Sequence, residues 1–173
     1  IYTTEQYNFL KNLKNKYDSN FLQKALDKVF KNIPLVVGES IIDEYVFCQA
    51  VGKSGKESYL VLKENKSEKY LGGVLSIAQN LSAICKKVNL LSMLGTNRSY
   101  ENKIKNDLNN NIKYQFIRKK NSPTILKKRF IEENDNTKLL GVYSINDDSL
   151  LPEEEKNLIY KLKKQSKNTD LVI

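Results

Sequence analysis

Residues 68–81 read Glu68-Lys69-Tyr70-Leu71-Gly72-Gly73-Val74-Leu75-Ser76-Ile77-Ala78-Gln79-Asn80-Leu81. The Gly-Gly pair ends an extended run and precedes apolar residues spaced three or four apart. This spacing predicts a helix with one buried stripe, formed by Val74, Ile77, Leu81, Ile84 and Val88. The glycines let the backbone bend sharply, and the unpaired amides of the new helix could serve a polar or anionic ligand. A plain strand-to-helix turn explains the same pattern, so both interpretations stay open.

Short strands and helices alternate on both sides of this stretch. Strands are predicted at 34–38, 45–51, 58–63, 89–94, 112–117, 124–132 and 137–145, and helices at 3–31, 102–108 and 151–167. A turn at Gly52-Lys53-Ser54-Gly55 joins the second strand to the third. The alternation predicts an α/β fold with a mostly parallel sheet and helices on both faces.

The helical segments carry recognisable end signals. Thr3 and Gln6 fit a capping box, and the helix breaks near residues 18–20, so residues 1–33 are predicted to form a helical appendage outside the sheet. At the other end, Pro152 suits the first position of a helix. Three glutamates in its first turn and lysines in its last turn complement the helix dipole, which explains them without catalysis.

Composition narrows the function classes. The chain of 173 residues suggests one domain or one and a half, and its 29 basic and 20 acidic residues give a net charge of +9. The lysines are spread along the chain without a nucleic-acid-binding motif, which favours a solvated basic surface over a nucleic-acid partner. No histidine is present, which excludes histidine-based triads and histidine metal sites.

Cysteine usage and hydropathy favour a cytoplasmic location. Cys48 and Cys85 lie far apart without CxxC spacing, and no stretch resembles a signal peptide or a membrane span. We therefore expect no membrane partner and no resident metal. The chain starts without methionine and stops at Thr169-Asp170-Leu171-Val172-Ile173, which reads as the first half of a buried parallel strand. It is expected to be part of a longer protein.

Position alone singles out three polar side chains. Asp43 follows the strand that ends at Gly38, and ligands of open α/β sheets bind beyond the carboxyl ends of strands. A turn or a helix cap would explain Asp43 as well as a ligand contact would. Lys127 and Arg129 share one face of a strand, where cross-strand ion pairs are an equal alternative to ligand binding.

Three segments in this order resemble the PfkB (ribokinase-like) carbohydrate kinases. They are residues 37–45, Val37-Gly38-Glu39-Ser40-Ile41-Ile42-Asp43-Glu44-Tyr45; residues 71–81, starting Leu71-Gly72-Gly73; and residues 122–129, Ser122-Pro123-Thr124-Ile125-Leu126-Lys127-Lys128-Arg129. The chain is most similar to the kinase domain of bifunctional ADP-heptose synthases, which phosphorylate D-glycero-D-manno-heptose 7-phosphate. The resemblance runs from Pro34 to the end and covers the N-terminal half of such a kinase, so it implies that residues 34–173 form that portion.

The resemblance implies roles for individual residues. Asp43 matches the family aspartate that hydrogen-bonds sugar hydroxyls, and Gly72 and Gly73 match the pair that lets substrate approach the backbone. Lys127 and Arg129 match basic residues that could face a substrate phosphate. Segments 45–63 and 124–145 match a projecting β lid, which in this family closes over substrate and often forms a homodimer. ATP and Mg²⁺ are the implied cofactors, with the catalytic aspartate of a Gly-Ala-Gly-Asp motif expected beyond residue 173.

The sequence departs from the family pattern at three places. Ser76 stands where the family has a sugar-contacting asparagine, Glu39 replaces the usual aspartate, and Gly141-Val142-Tyr143 replaces Arg-Leu-Asp. The expected function is the N-terminal part of an ATP-dependent sugar or sugar-phosphate kinase, inactive without its C-terminal half. The alternative is a catalytically degenerate binding or dimerisation module of the same fold.

Overall fold

A single strand of 20 residues, β1 (Pro34–Lys53), joins the two parts of the sheet. The computed structural model describes residues 2–97 and 99–173. Along them the elements are α1 (Thr4–Lys16), α2 (Ser19–Lys31), β1, β2 (Leu60–Gly73), α3 (Val74–Ser82), β3 (Val88–Asn97), α4 (Glu101–Asp107), β4 (Ile112–Pro123), β5 (Ile125–Glu132), β6 (Lys138–Ser144), α5 (Pro152–Ser166) and β7 (Leu171–Val172).

The first six residues of β1 belong to a parallel core sheet. They pair with β3 on one side and with β7 on the other, and β3 pairs in turn with β4. Helices α3 and α4 cover one face, where Leu75, Ala78 and Ile104 are fully buried against the sheet. Helix α5 packs on the other face through Leu158 and Leu162. The predicted α/β architecture with helices on both faces is therefore confirmed.

Beyond residue 39 the same strand becomes the centre of what we call the outer sheet, formed by residues 40–53 of β1 with β2, β5 and β6. β2 runs antiparallel to β1 on one side, β5 runs parallel on the other, and β6 pairs antiparallel with β5. The prediction that the first strand ends at Gly38 was wrong, because its backbone continues extended into the outer sheet. The paired residues also extend the predicted segment 45–63 at both ends.

The helix after the glycine pair exists, and its predicted buried stripe is confirmed only in part. Val74 and Leu81 are partly buried against the core and Val88 is fully buried, whereas Ile77 is 40% and Ile84 is 52% exposed. The residues that the helix itself buries are Leu75, Ala78 and Ser82. Spacing alone could not distinguish these two neighbouring stripes, and the helix ends at Ser82, before Ile84.

The chain ends follow the predicted end signals. Thr3 accepts a hydrogen bond from the Gln6 amide at 3.3 Å while Gln6 Oε1 accepts from the Thr3 amide at 2.9 Å, so the capping box is confirmed. Neither α1 nor α2 buries a residue. β7 is parallel as predicted, yet Leu171 and Val172 are about half exposed rather than buried. Among the described residues no helix has the length and apolarity required to cross a bilayer.

Candidate functional site

One face of the outer sheet brings Asp43 and Gly72 together. Asp43 lies on β1, two residues after Ile41. Gly72 lies on the neighbouring strand β2 and pairs with Ile41. A Cβ atom at Gly72 would collide with Oδ2 of Asp43 and with the Ile41 side chain. A side chain at Gly72 would therefore displace the carboxylate, which makes glycine a requirement of this arrangement.

Arg129 fixes the orientation of the Asp43 carboxylate. Its Nη1 donates to Asp43 Oδ1 at 2.5 Å, and both side chains are only about a fifth exposed. This hydrogen bond raises the pKa of Arg129 above its ordinary value, against the opposing effect of burial. The guanidinium also lies between two aromatic rings, 5.5 Å from the centroid of Tyr45 and 5.8 Å from that of Tyr143. Asp43 and Arg129 thus form a rigid, partly desolvated pair.

Lys127 lies next to this pair in the sheet. Its Cα is in register with Asp43 on one side and with Tyr143 on the other. Its ammonium lies 5.9 Å from the Tyr143 ring centroid, and it forms no ion pair with any residue that the structure describes. On this face Arg129 is therefore paired with the Asp43 carboxylate, whereas Lys127 has no carboxylate partner among the described residues.

Gly73 and Ser76 form the turn from β2 into α3. Gly73 has φ +56° and ψ −134°, a conformation available to glycine and strained for other residues. It precedes the helix without any side-chain cap, so the first amides of α3 stay accessible to a ligand. Ser76 lies half-buried in the first turn, and no hydrogen bond joins it to Asp43 or to the basic residues among the described contacts.

The opposite face of the outer sheet holds an ionic cluster that the sequence did not reveal. Glu44 is 5% exposed and accepts hydrogen bonds from Ser67 at 3.0 Å and Lys69 at 2.9 Å, while Lys128 lies 3.3 Å away. Burial alone would raise the pKa of Glu44, but hydrogen bonds from Lys69, Ser67 and Lys128 together bring it below its ordinary value. The cluster ties β2 and β5 to β1.

Buried polar contacts also organise the carboxyl edge of the core sheet. Lys119 is 8% exposed and donates to the backbone carbonyls of Asn146 at 2.7 Å and Asp148 at 2.6 Å. Thr124 accepts from the Gly95 amide at 3.1 Å. These contacts stabilise the β4–β5 and β6–α5 connections. The role of Lys119 could not be predicted from the sequence, because its partners are backbone carbonyls that are distant along the chain.

Some known proteins are similar to this chain in sequence. No protein-family model matches the chain. It is 27% identical over 113 residues to the bifunctional protein HldE of Campylobacter jejuni strain RM1221, covering 65% of this chain and 23% of that protein. It is 29% identical over 100 residues to the HldE of Psychromonas ingrahamii, covering 58% of this chain and 21% of that protein. The chain thus corresponds to less than a quarter of the length of these relatives.

Solved structures share the arrangement of strands. A possible 1-phosphofructokinase of Thermotoga maritima superposes with a TM-score of 0.59 at 12% identity, covering 80% of this chain and 43% of that one. The Escherichia coli phosphofructokinase-2 in complex with fructose-6-phosphate gives 0.57 at 12% identity over 78% and 42% of the two chains. The chain has the ribokinase-like kinase fold. Its relatives and structural neighbours are carbohydrate kinases.

The face that bears Asp43 combines two kinds of polar group. A fixed carboxylate can accept hydrogen bonds from hydroxyl groups, and a lysine attracts an anion. Among the described residues no cluster of three histidine, cysteine or acidic side chains could hold a metal ion.

Proposed function

We propose that this chain supplies the substrate-binding half of an ATP-dependent sugar-phosphate kinase. The observation that carries the proposal is the Asp43 carboxylate, lying against Gly72 and oriented by Arg129. Oδ1 is occupied by the guanidinium, while Oδ2 accepts no hydrogen bond from a described residue. The second oxygen is therefore available to accept hydrogen bonds from the hydroxyl groups of a sugar.

The charge of the same face supports a phosphorylated sugar. Lys127 lies on the same face as Asp43 and forms no ion pair with a carboxylate among the described residues. Arg129 lies two residues farther along β5. A compact ammonium group is well suited to bind a phosphate as a point charge. The resemblance to the kinase domain of ADP-heptose synthases suggests D-glycero-D-manno-heptose 7-phosphate as the substrate. We therefore propose this heptose phosphate, with phosphorylation at C1.

ATP, Mg²⁺ and the catalytic base belong to the proposed whole protein. The resemblance assigns the base to an aspartate in a Gly-Ala-Gly-Asp motif, which does not occur in these 173 residues. Phosphoryl transfer depends on positioning and charge stabilisation, with magnesium bridging the phosphates. We propose that residues 1–173 alone bind sugar phosphate without turning it over. Use of ATP supports a cytoplasmic location for the whole protein.

We also propose that the outer sheet acts as a lid and forms a homodimer. Val51, Leu60 and Leu140 lie on its strands and are more than half exposed. Pairing of two such sheets would remove this apolar surface from water. Size-exclusion chromatography with light scattering on the whole protein would show twice the chain mass. A monomer at micromolar concentration would contradict the dimer without affecting the kinase proposal.

A steady-state assay of ADP release tests the kinase. The whole protein with Mg-ATP and D-glycero-D-manno-heptose 7-phosphate should release ADP, and Asp43→Asn should lower kcat/KM about 10- to 100-fold, the loss of one charged hydrogen bond. Asp107→Asn, which breaks an exposed pair with Lys103, is the matched control and should leave kcat/KM unchanged. Sugar-phosphate binding without any ADP release would instead support the alternative, a catalytically degenerate module.

A further inference from the structure

Tyr143 has an unusual position on β6. Its ring lies back over Gly141, two residues earlier on the same face of the strand. A Cβ atom at residue 141 would lie 3.3 Å from both Cε1 and Oη of the ring. This separation is tighter than ordinary van der Waals contact, so a side chain at residue 141 would push the ring away. The absence of a side chain at Gly141 thus leaves room for the Tyr143 ring in its present position.

Two cations border the ring. The Lys127 ammonium is 5.9 Å and the Arg129 guanidinium carbon 5.8 Å from its centroid. Tyr143 is 51% exposed, so about half of its surface stays in contact with solvent. The structure therefore presents a partly exposed aromatic ring beside Lys127, which has no ion-pair partner among the described residues, and strand β5 separates this ring from Asp43 on β1.

Such a surface matches one kind of ligand. A sugar ring has polar hydroxyl edges and a face of C–H groups, whose partial positive charge is attracted by the electron-rich face of an aromatic ring. We propose that Tyr143 is a specificity-determining contact, on which the apolar face of a phosphorylated sugar stacks while Lys127 binds its phosphate. This inference rests on the proposed function and deepens it.

The geometry also indicates different roles for the two basic residues, Arg129 and Lys127. Arg129 is committed to Asp43 at 2.5 Å and is enclosed by two rings, so it acts as a positioning residue. Lys127 retains its donors for the ligand. A sugar on the Tyr143 ring would have Lys127 next to it and Asp43 one strand farther on the same side, because Tyr143, Lys127 and Asp43 form one row across β6, β5 and β1. Its phosphate would therefore reach Lys127 and its hydroxyl edge would extend toward Asp43.

The test compares Tyr143→Phe with Tyr143→Leu in the whole protein, using D-glycero-D-manno-heptose 7-phosphate and fructose 6-phosphate as probes. Phenylalanine keeps the ring and should leave KM within about twofold. Leucine keeps bulk without the ring and should raise KM about five- to tenfold at unchanged kcat, since an aromatic contact contributes this much. Tyr160→Leu, at an exposed tyrosine of α5, is the matched control and should change neither constant.

A second readout does not depend on turnover. In saturation-transfer NMR, the C–H protons of the bound sugar should receive saturation from the wild-type protein and from Tyr143→Phe, and lose most of it in Tyr143→Leu. Gly141→Ala should have a smaller effect than Tyr143→Leu, because the added methyl group requires the ring to move by only a few tenths of an ångström. Equal binding by the phenylalanine and leucine variants would overturn the stacking role and leave the kinase intact. If the wild type neither binds nor phosphorylates any sugar phosphate, the proposed function fails as well.

Discussion

At the scale of single residues, the most sensitive position is Gly72. Replacement by alanine would place a methyl group against Asp43 Oδ2, and the carboxylate would have to leave Arg129. We expect Gly72→Ala to lower the free energy of unfolding by about 1–3 kcal/mol through overpacking. It should also weaken sugar-phosphate binding. Urea denaturation of the chain measures the first effect and titration calorimetry the second.

Gly55 provides the control for this substitution. A Cβ atom there meets nothing within 4 Å, and Gly55 does not have a positive φ. Gly55→Ala should therefore leave the urea midpoint nearly unchanged. An equally mild effect of Gly72→Ala would show that the Asp43 carboxylate has room to move, which contradicts the close approach on which the candidate site depends.

Residue patterns in the sequence were informative where the physical cause is local. The Thr3–Gln6 capping box and Pro152 at the start of α5 depend on groups three or four residues apart, and both were correctly predicted. The proximity of Asp43 to Arg129 spans 86 residues and depends on strand register. The sequence allowed a cross-strand ion pair for Arg129 as one of two alternatives, but it did not identify Asp43 as the partner. The roles in substrate binding stay predictions for all six candidate residues, Asp43, Gly72, Gly73, Ser76, Lys127 and Arg129.

At the scale of elements, the cluster around Glu44 holds the outer sheet together. Glu44→Gln removes the charge that Lys69 and Lys128 face, and we expect about 2 kcal/mol of destabilisation at pH 7. The pKa of Glu44 is lower in the folded chain than its ordinary value, so the unfolded state binds a proton more readily. This contribution is fully present above the ordinary glutamate pKa, and it is lost as the pH falls through the lowered one.

Urea midpoints of the wild type and of Glu44→Gln, measured across this acidic range, test the linkage. The two curves should be separated at neutral pH and converge as the pH drops. Glu57→Gln is the control, because Glu57 is exposed in the turn between β1 and β2 and forms no ion pair with a described residue. A separation between wild type and Glu44→Gln that persists below the lowered pKa would show that lost packing, rather than lost charge, causes the difference.

Element-scale patterns also explain what sequence reasoning missed. Strand β1 was predicted to end at Gly38, since glycine usually interrupts a strand pattern, but an extended glycine can continue one. No local pattern in the sequence distinguishes Glu44 as a buried residue. Its burial depends on two lysines from other strands. The length of β1 and the burial of Glu44 both depend on contacts with residues that are distant in the sequence.

At the scale of the whole molecule, the shared strand β1 should make the core sheet and the outer sheet unfold together. Two native thiols report on the two parts. Cys48 is fully buried in the outer sheet, and Cys85 is 4% exposed beside the end of α3. Burial raises the pKa of both thiols, so each reacts slowly until its surroundings open.

The single-thiol variants Cys48→Ala and Cys85→Ala, each combined with Leu90→Ala in the core sheet, separate cooperative from local opening. Leu90 is fully buried, and its truncation should cost about 2–5 kcal/mol. If β1 couples the sheets, disulfide-reagent labelling should accelerate at least about thirtyfold for both thiols, the factor that 2 kcal/mol gives. Acceleration at Cys85 alone would mean that the outer sheet opens independently of the core. Closure of the proposed lid does not require such independence, since a hinge within β1 can move the outer sheet as a folded unit.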